Sequence, residues 1–177
     1  MQRVYVQGII LIDSSINYCL TTTDYTQKLS FAYQYWMILG AHTIGISRCS
    51  SFSRRLYNFT GVGDQDPSLD SEYAANLKAN KCRSLADNTT IVEMDPGSFR
   101  TFDLSYYTNL RKRRGLFQSD AALTTSSTTS AIIDQLLQGS VQSFFTEFAN
   151  SMEKMGQIDV KTGSSGEIRR RCALVNS

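Results

Sequence analysis

Between Ile132 and Met155 the apolar residues Ile132, Ile133, Leu136, Leu137, Val141, Phe144, Phe145, Phe148, Met152 and Met155 recur at helical steps, broken near Gly139. That period fits one face of an α-helix rather than a half-buried strand, whose apolar positions would alternate. Two helices broken at Gly139 are expected, and their shared apolar face is most economically core. Tyr106, Tyr107 and Leu110 repeat the spacing in a shorter segment ending at Gly115, which reads as its C-cap. The fold class expected for residues 37–177 is all-α.

Other segments are less regular. From Met37 to Leu56, the residues Ile38, Ala41, Ile44, Ile46, Phe52 and Leu56 approximate helical spacing, although Gly40 and Gly45 each lower helix propensity by up to about 1 kcal/mol. Glycine there has two readings, close approach of a flat macrocycle or close helix packing. Asn58 to Asp70 reads as loop, with Ser68 or Asp70 able to cap a helix from Ser71 to Leu77. Ala121 to Ser130, rich in Thr and Ser, reads as loop leading into a capped helix start. Lys161 to Gly166 is a turn cluster, and Ile168 to Val175 reads as a short extended or irregular end. Residues 1–36 mix Val, Ile, Tyr and Thr around Asp13-Ser14-Ser15 and look foreign to the rest, so the domain division is an unassigned segment 1–36 followed by 37–177.

Composition narrows the function classes. A chain of 177 residues with 41% hydrophobic content suits one globular domain. Its 18 basic and 16 acidic residues give a net charge of +2, no reason to expect a nucleic-acid partner. The cluster Arg111-Lys112-Arg113-Arg114 reads as a solvated helix end, where cations meet the negative end of the helix dipole. No run reaches the ~18 apolar residues of a membrane-spanning helix, so no membrane role is expected. The cysteines at 19, 49, 82 and 172 lack a C-x-x-C spacing, which argues against structural zinc and for disulfides. Sequons at Asn58 and Asn88 fit an oxidising secretory route. The N-terminus itself is a poor signal peptide, because its apolar stretch from Gly8 to Ile12 stops at Asp13.

His42 is the sole histidine, set between small residues in Gly40-Ala41-His42-Thr43-Ile44-Gly45. A lone imidazole is either a metal ligand or a core residue bonded to a carbonyl. Asp95, Ser98, Thr101 and Asp103 gather the short oxygen-bearing side chains that either wrap a hard cation or make plain turns. Asp120, near a loop end, reads on its own as a helix cap.

Ala41-His42-Thr43-Ile44-Gly45 with Arg48-Cys49 resembles the proximal haem-ligand segment of the plant secretory (class III) haem peroxidases. Further matches follow in order: Arg55-Leu56-Tyr57-Asn58-Phe59, Asp66 to Asp70, Lys81-Cys82, Asp95 through Leu110, Gly115 to Asp120, Phe144 to Gly156, Gly166 to Arg169, and Cys172 to Ser177. One departure stands at Leu39, where the family has Ser.

The resemblance implies the proximal half of a helical haem-peroxidase fold. It makes His42 the axial ligand of haem b iron and Asp120 the acceptor of the other imidazole N–H. It makes Thr43, Asp95, Ser98, Thr101 (by its carbonyl) and Asp103 a calcium site, and pairs Cys49 with Cys82. Cys172 matches a cysteine whose family partner lies in the other half, leaving only Cys19 as a candidate. Hydrogen peroxide and small phenolic donors are the implied substrates, with a monomeric, extracellular protein. The distal His and Arg that move the peroxide proton and stabilise the breaking bond have no counterpart, so no catalytic residue is assigned. A truncated peroxidase is therefore expected; a non-catalytic remnant, or a secreted calcium-binding or interaction protein made as written, is the alternative.

Overall fold

The computed structural model describes residues 36–157, 162–166, 168, 170, 171 and 176. Residues 36–39 are helical and continue into a 3-10 turn, Gly40–Thr43; strand β1, Ile46–Arg48, and a second 3-10 turn, Cys49–Ser51, follow. Then come α1 (Ser53–Tyr57), α2 (Ser71–Asn80), β2 (Ile91–Glu93), α3 (Ser105–Arg111), α4 (Gln118–Thr125), α5 (Ser127–Gln138), α6 (Val141–Gly156) and a 3-10 turn, Gly163–Ser165. The fold is mainly helical, and the two strands form one antiparallel pair in the register Ile46↔Glu93, Ser47↔Val92, Arg48↔Ile91. The expectations for residues 1–35, for the partners of Cys19 and Cys172, and for most of 168–175 lie outside the described residues.

Helices α5 and α6 form where the apolar period demands them. At the break, the Gly139 N–H donates back to the carbonyls of Gln135 and Leu136, and Ser140 Oγ caps α6 by accepting from the Ser143 N–H at 3.0 Å. Ile133, Leu136 and Phe144 are buried, whereas Val141 is exposed. Phe102 enters this face from the loop before α3, its ring 5.0, 5.5 and 4.8 Å from those of Phe144, Phe145 and Phe148. Together with Met37, Leu39, Tyr106, Tyr107, Leu110 and Leu123 they make one apolar cluster. A second unites the Cys49–Cys82 bridge with Phe52, Leu56, Leu77, Met94 and Phe117. Helix α2 starts at Asp70, whose Oδ1 accepts from the Tyr73 N–H at 2.9 Å, and runs three residues beyond the expected end.

Three segments depart from the sequence expectation. First, 37–56 is no continuous helix, because Gly45 takes φ 115°, a left-handed conformation that glycine adopts at little cost. Its N–H donates to the Phe99 carbonyl and its own carbonyl accepts from the Met94 N–H, which turns the chain into the strand pair. Gly40 has the packing role: a Cβ there would lie 2.6 Å from Tyr107 Oη and 2.9 Å from Phe144 Cε2. Second, Ala121 to Ser130 is helical rather than loop except at Ser126, the extended residue between α4 and α5. Thr124, Thr125 and Thr129 donate to the carbonyls of Ala121, Ala122 and Ser126, each at 2.9 Å, so hydroxyls that suggest a loop are satisfied inside helical turns. Third, α3 ends at Arg111 with Lys112 as its C-cap, and the left-handed residue that follows is Arg113, not Gly115. Arg113 adopts φ 56°, and the bonds Arg113 N–H to Leu110 O and Arg114 N–H to Asn109 O close a Schellman motif.

Candidate functional site

The 3-10 turn Gly40–Thr43 sets His42 in the interior at 3% exposure. Its Nδ1 lies 2.8 Å from Asp120 Oδ1, joining residues 78 apart in sequence, and Asp120 is itself 2% exposed. The same Oδ1 accepts from the Tyr106 hydroxyl at 2.8 Å, while Oδ2 accepts from the Phe117 N–H at 2.8 Å. The last bond is the reciprocal half of a capping box at the start of α4, so Asp120 is a capping-box residue and a histidine partner at once. Burial raises the Asp120 carboxyl most strongly, but the His42 charge and the bonds from His42, Phe117 and Tyr106 outweigh it and hold the pKa below the ordinary value. Against a carboxylate acceptor Nδ1 is the donor of this bond, and Nε2 is the ring nitrogen left outside it. Nε2 has no hydrogen-bond partner among the described residues. Tyr106 meets the imidazole edge-on at 5.7 Å and Phe117 tilts against it at 5.0 Å.

The turn before α4 is held from α1. Arg55, 4% exposed, donates through Nη1 to the carbonyls of Gly115, Leu116 and Phe117 at 2.8, 2.8 and 2.7 Å, and through Nε to Asp66 Oδ2 at 2.6 Å. Its Nη2 donates to Ser68 Oγ at 3.1 Å. Burial tends to raise the Asp66 pKa, yet the Ser68 and Arg55 hydrogen bonds and the Arg55 charge bring it below the ordinary value. At Gly115 a Cβ would come within 2.4 Å of Asp120 Cβ and 2.8 Å of Leu110 Cδ2, so the close approach of α3 and α4 requires glycine.

Directly after His42, the Thr43 hydroxyl draws the oxygen-bearing loop around itself. Thr43 Oγ1 is 3.1 Å from Asp95 Oδ2, 3.3 Å from the Thr101 carbonyl and 3.3 Å from Asp103 Oδ1. Ser98 Oγ donates to Asp103 Oδ2 at 2.8 Å, and Ser105 donates to Asp103 Oδ1 through both its N–H and its hydroxyl. One hydroxyl proton cannot serve three acceptors, so acceptor oxygens face one another here. Two carboxylates, two hydroxyls and a carbonyl match the chemistry of a hard cation. Among the described residues no group of three or more His, Cys, Asp or Glu is placed to hold a metal ion, and this cluster has only two carboxylates beside its hydroxyls and carbonyl. Burial raises the Asp95 carboxyl, and the charges of Asp103 and Glu93 add to that rise. Burial also raises Asp103, but bonds from Ser105, Ser98 and Thr43 outweigh it and the net shift is downward.

The expected partners thus come together as two adjoining groups, His42 with Asp120 and Thr43 with Asp95, Ser98, Thr101 and Asp103. Cys49 and Cys82 are bridged, with a Cα–Cα distance of 5.5 Å. Asn88 is exposed, whereas Asn58 is half-buried and its Oδ1 accepts from the Gly63 N–H. Sequence reasoning missed Tyr106, Arg55 and Asn109, whose Nδ2 donates to Asp95 Oδ1 at 2.7 Å. A signal existed for two of them. A tyrosine on an apolar face must find a partner for its hydroxyl, and an Arg framed by Phe52 and Leu56 must be paired to be buried.

A family model described as peroxidase matches residues 21–139. The chain is 70% identical over 141 residues to Peroxidase 3 of Arabidopsis thaliana, covering 80% of this chain and 43% of that protein. Peroxidase 39 of Arabidopsis thaliana is 69% identical over 140 residues, 79% of this chain and 43% of that protein. Peroxidase 1 of Oryza sativa subsp. japonica is 54% identical over 144 residues, 79% of this chain and 44% of that protein. The chain belongs to the peroxidase family, and within it to the class III plant peroxidases. It spans less than half the length of these relatives.

Proposed function

We propose that the chain is the proximal part of a hydrogen-peroxide-dependent oxidoreductase, with His42 the axial haem ligand through Nε2 and Asp120 the acceptor of its Nδ1–H. The observation that carries this reading is the 2.8 Å bond between a buried imidazole and a buried carboxyl group, with Nε2 left outside that bond. Such a partner fixes the tautomer, orients the ring and raises its basicity as a ligand. Bound at Nε2, haem b would supply the iron at which hydrogen peroxide is reduced and small phenolic donors are oxidised.

The oxygens of Thr43, Asp95, Ser98, Thr101 and Asp103 hold calcium in this reading, and because Thr43 adjoins His42 the same loop stiffens the ligand's backbone. The Cys49–Cys82 bridge and the exposed Asn88 sequon support an extracellular destination. No helix among the described residues is long and apolar enough to cross a membrane.

Proton transfer on peroxide calls for a second base. The 177 residues contain one histidine, so with His42 engaged no other imidazole serves. General acid–base help contributes about 10²–10⁴-fold, and turnover by this polypeptide is expected to fall below that of a longer relative by at least the lower figure. The same observation favours a second reading, a calcium-binding protein that does not turn over peroxide. Peroxide-dependent oxidation of guaiacol by residues 1–177 with haem and calcium, beside His42→Ala, tests both. Slow turnover lost in His42→Ala supports the first, none in a folded calcium-bound chain supports the second, and turnover unaffected by His42→Ala defeats both.

A further inference from the structure

Asp120 Oδ1 receives two donors, His42 Nδ1 and the Tyr106 hydroxyl, each at 2.8 Å. All three side chains are buried, Tyr106 at 1% exposure, so water does not screen or replace either bond. Tyr106 sits on α3, which also packs against the 3-10 turn carrying His42, and its ring stands edge-on to the imidazole. We propose that Tyr106 is a positioning residue of this site: its hydroxyl fixes which oxygen of Asp120 meets His42 and draws off part of that oxygen's charge. The donor strength of Nε2 is then set by Tyr106 as well as by Asp120, with the Phe117 N–H holding the second oxygen. A carboxylate oxygen shared between two donors gives less to each, so loss of the phenol strengthens the bond to Nδ1–H. The consequence for haem rests on the proposed function; the consequence for the imidazole does not.

The sole histidine makes the test direct, because ring-15N histidine labels one imidazole in the full chain. Tyr106→Phe should move the His42 Nδ1–H proton resonance downfield. Tyr107→Phe, whose hydroxyl donates instead to the Trp36 carbonyl, should leave it in place. Installing 3-fluorotyrosine at Tyr106 keeps the shape but makes a stronger donor and should move the resonance upfield, which preserves a readout if the Phe variant does not fold. In ferrous haem-loaded protein the iron–histidine stretching band should rise in Tyr106→Phe. An unchanged resonance in folded Tyr106→Phe or in the fluorotyrosine protein overturns the proposal, as does an equal shift in Tyr107→Phe. A shift without haem uptake leaves this inference standing and defeats the proposed function, whereas His42-dependent haem uptake without a shift does the reverse.

Discussion

Asp120 does two jobs because a carboxylate has two oxygens, one for the Phe117 N–H and one for His42 and Tyr106. Anything that displaces its Cβ disturbs both. Gly115→Ala would put a methyl group 2.4 Å from that Cβ, and overpacking of this kind costs about 1–3 kcal/mol. We expect a lower unfolding midpoint together with a shifted His42 ring signal. Asp66 supports the site through Arg55, and its folded pKa is depressed below the usual 3.8. A depressed acid contributes stability above its unfolded pKa and loses it as pH falls through the folded value. Asp66→Asn should therefore flatten the acid limb of stability below pH 3.8. Near neutrality it should cost about 3–5 kcal/mol in urea unfolding, since it leaves Arg55 buried and unpaired. Of these residues, His42 stood out by its solitude and Asp120 by its motif, and the structure brings the two together; Asp120 is not itself the N-cap but the third residue of α4, accepting from the N–H of the N-cap Phe117. For Tyr106 the sequence signalled only that a buried hydroxyl needs a partner; that the partner is Asp120 was not legible, because an apolar period reports that a face is buried and not where its hydroxyl points.

At the scale of elements, the bridge between Cys49 and Cys82 ties the segment after His42 to the end of α2 across a sequence separation of 33. Reducing it should lower stability by about 3–4 kcal/mol, read as the difference between urea unfolding curves with and without reductant. The oxygen cluster around Thr43 links the His42 turn to the loop before α3. Calcium at a hundred times its dissociation constant should stabilise the chain by about 2.7 kcal/mol, and a Thr43→Val variant should not respond. A calcium-independent unfolding curve in the parent chain would remove the cation from the account. Helices α5 and α6 were readable because long periodic segments carry their own evidence. The failures share a cause: local residue type was outvoted by bonds made at a distance. Gly45 leaves the helix because Phe99 and Met94 bond its backbone, the Thr hydroxyls after Asp120 turn inward to their own helices, and Arg113 takes the left-handed position that Gly115 was expected to fill. Gly115 is reserved for close packing against Asp120.

Across the whole molecule, the two apolar clusters meet at the site. Tyr106 belongs to one, Phe117 to the other, and the His42 ring touches both. Of the charge cluster from Arg111 to Arg114, Lys112 and Arg113 are exposed as a solvated helix end requires, whereas Arg111 pairs with Asp134 and Arg114 is half-buried over the Tyr73 ring, near Asp70. What the molecule presents is therefore an imidazole locked from behind, with a cation-suited loop beside it and a covalent tie beyond. The central claim is that this locked imidazole is a haem ligand. Haem titration of the full chain, followed by its absorption spectrum, tests it most directly. The account predicts saturable uptake with a histidine-ligated spectrum in the parent chain and loss of that spectrum in folded His42→Ala. Equal uptake and identical spectra in the two proteins would contradict it.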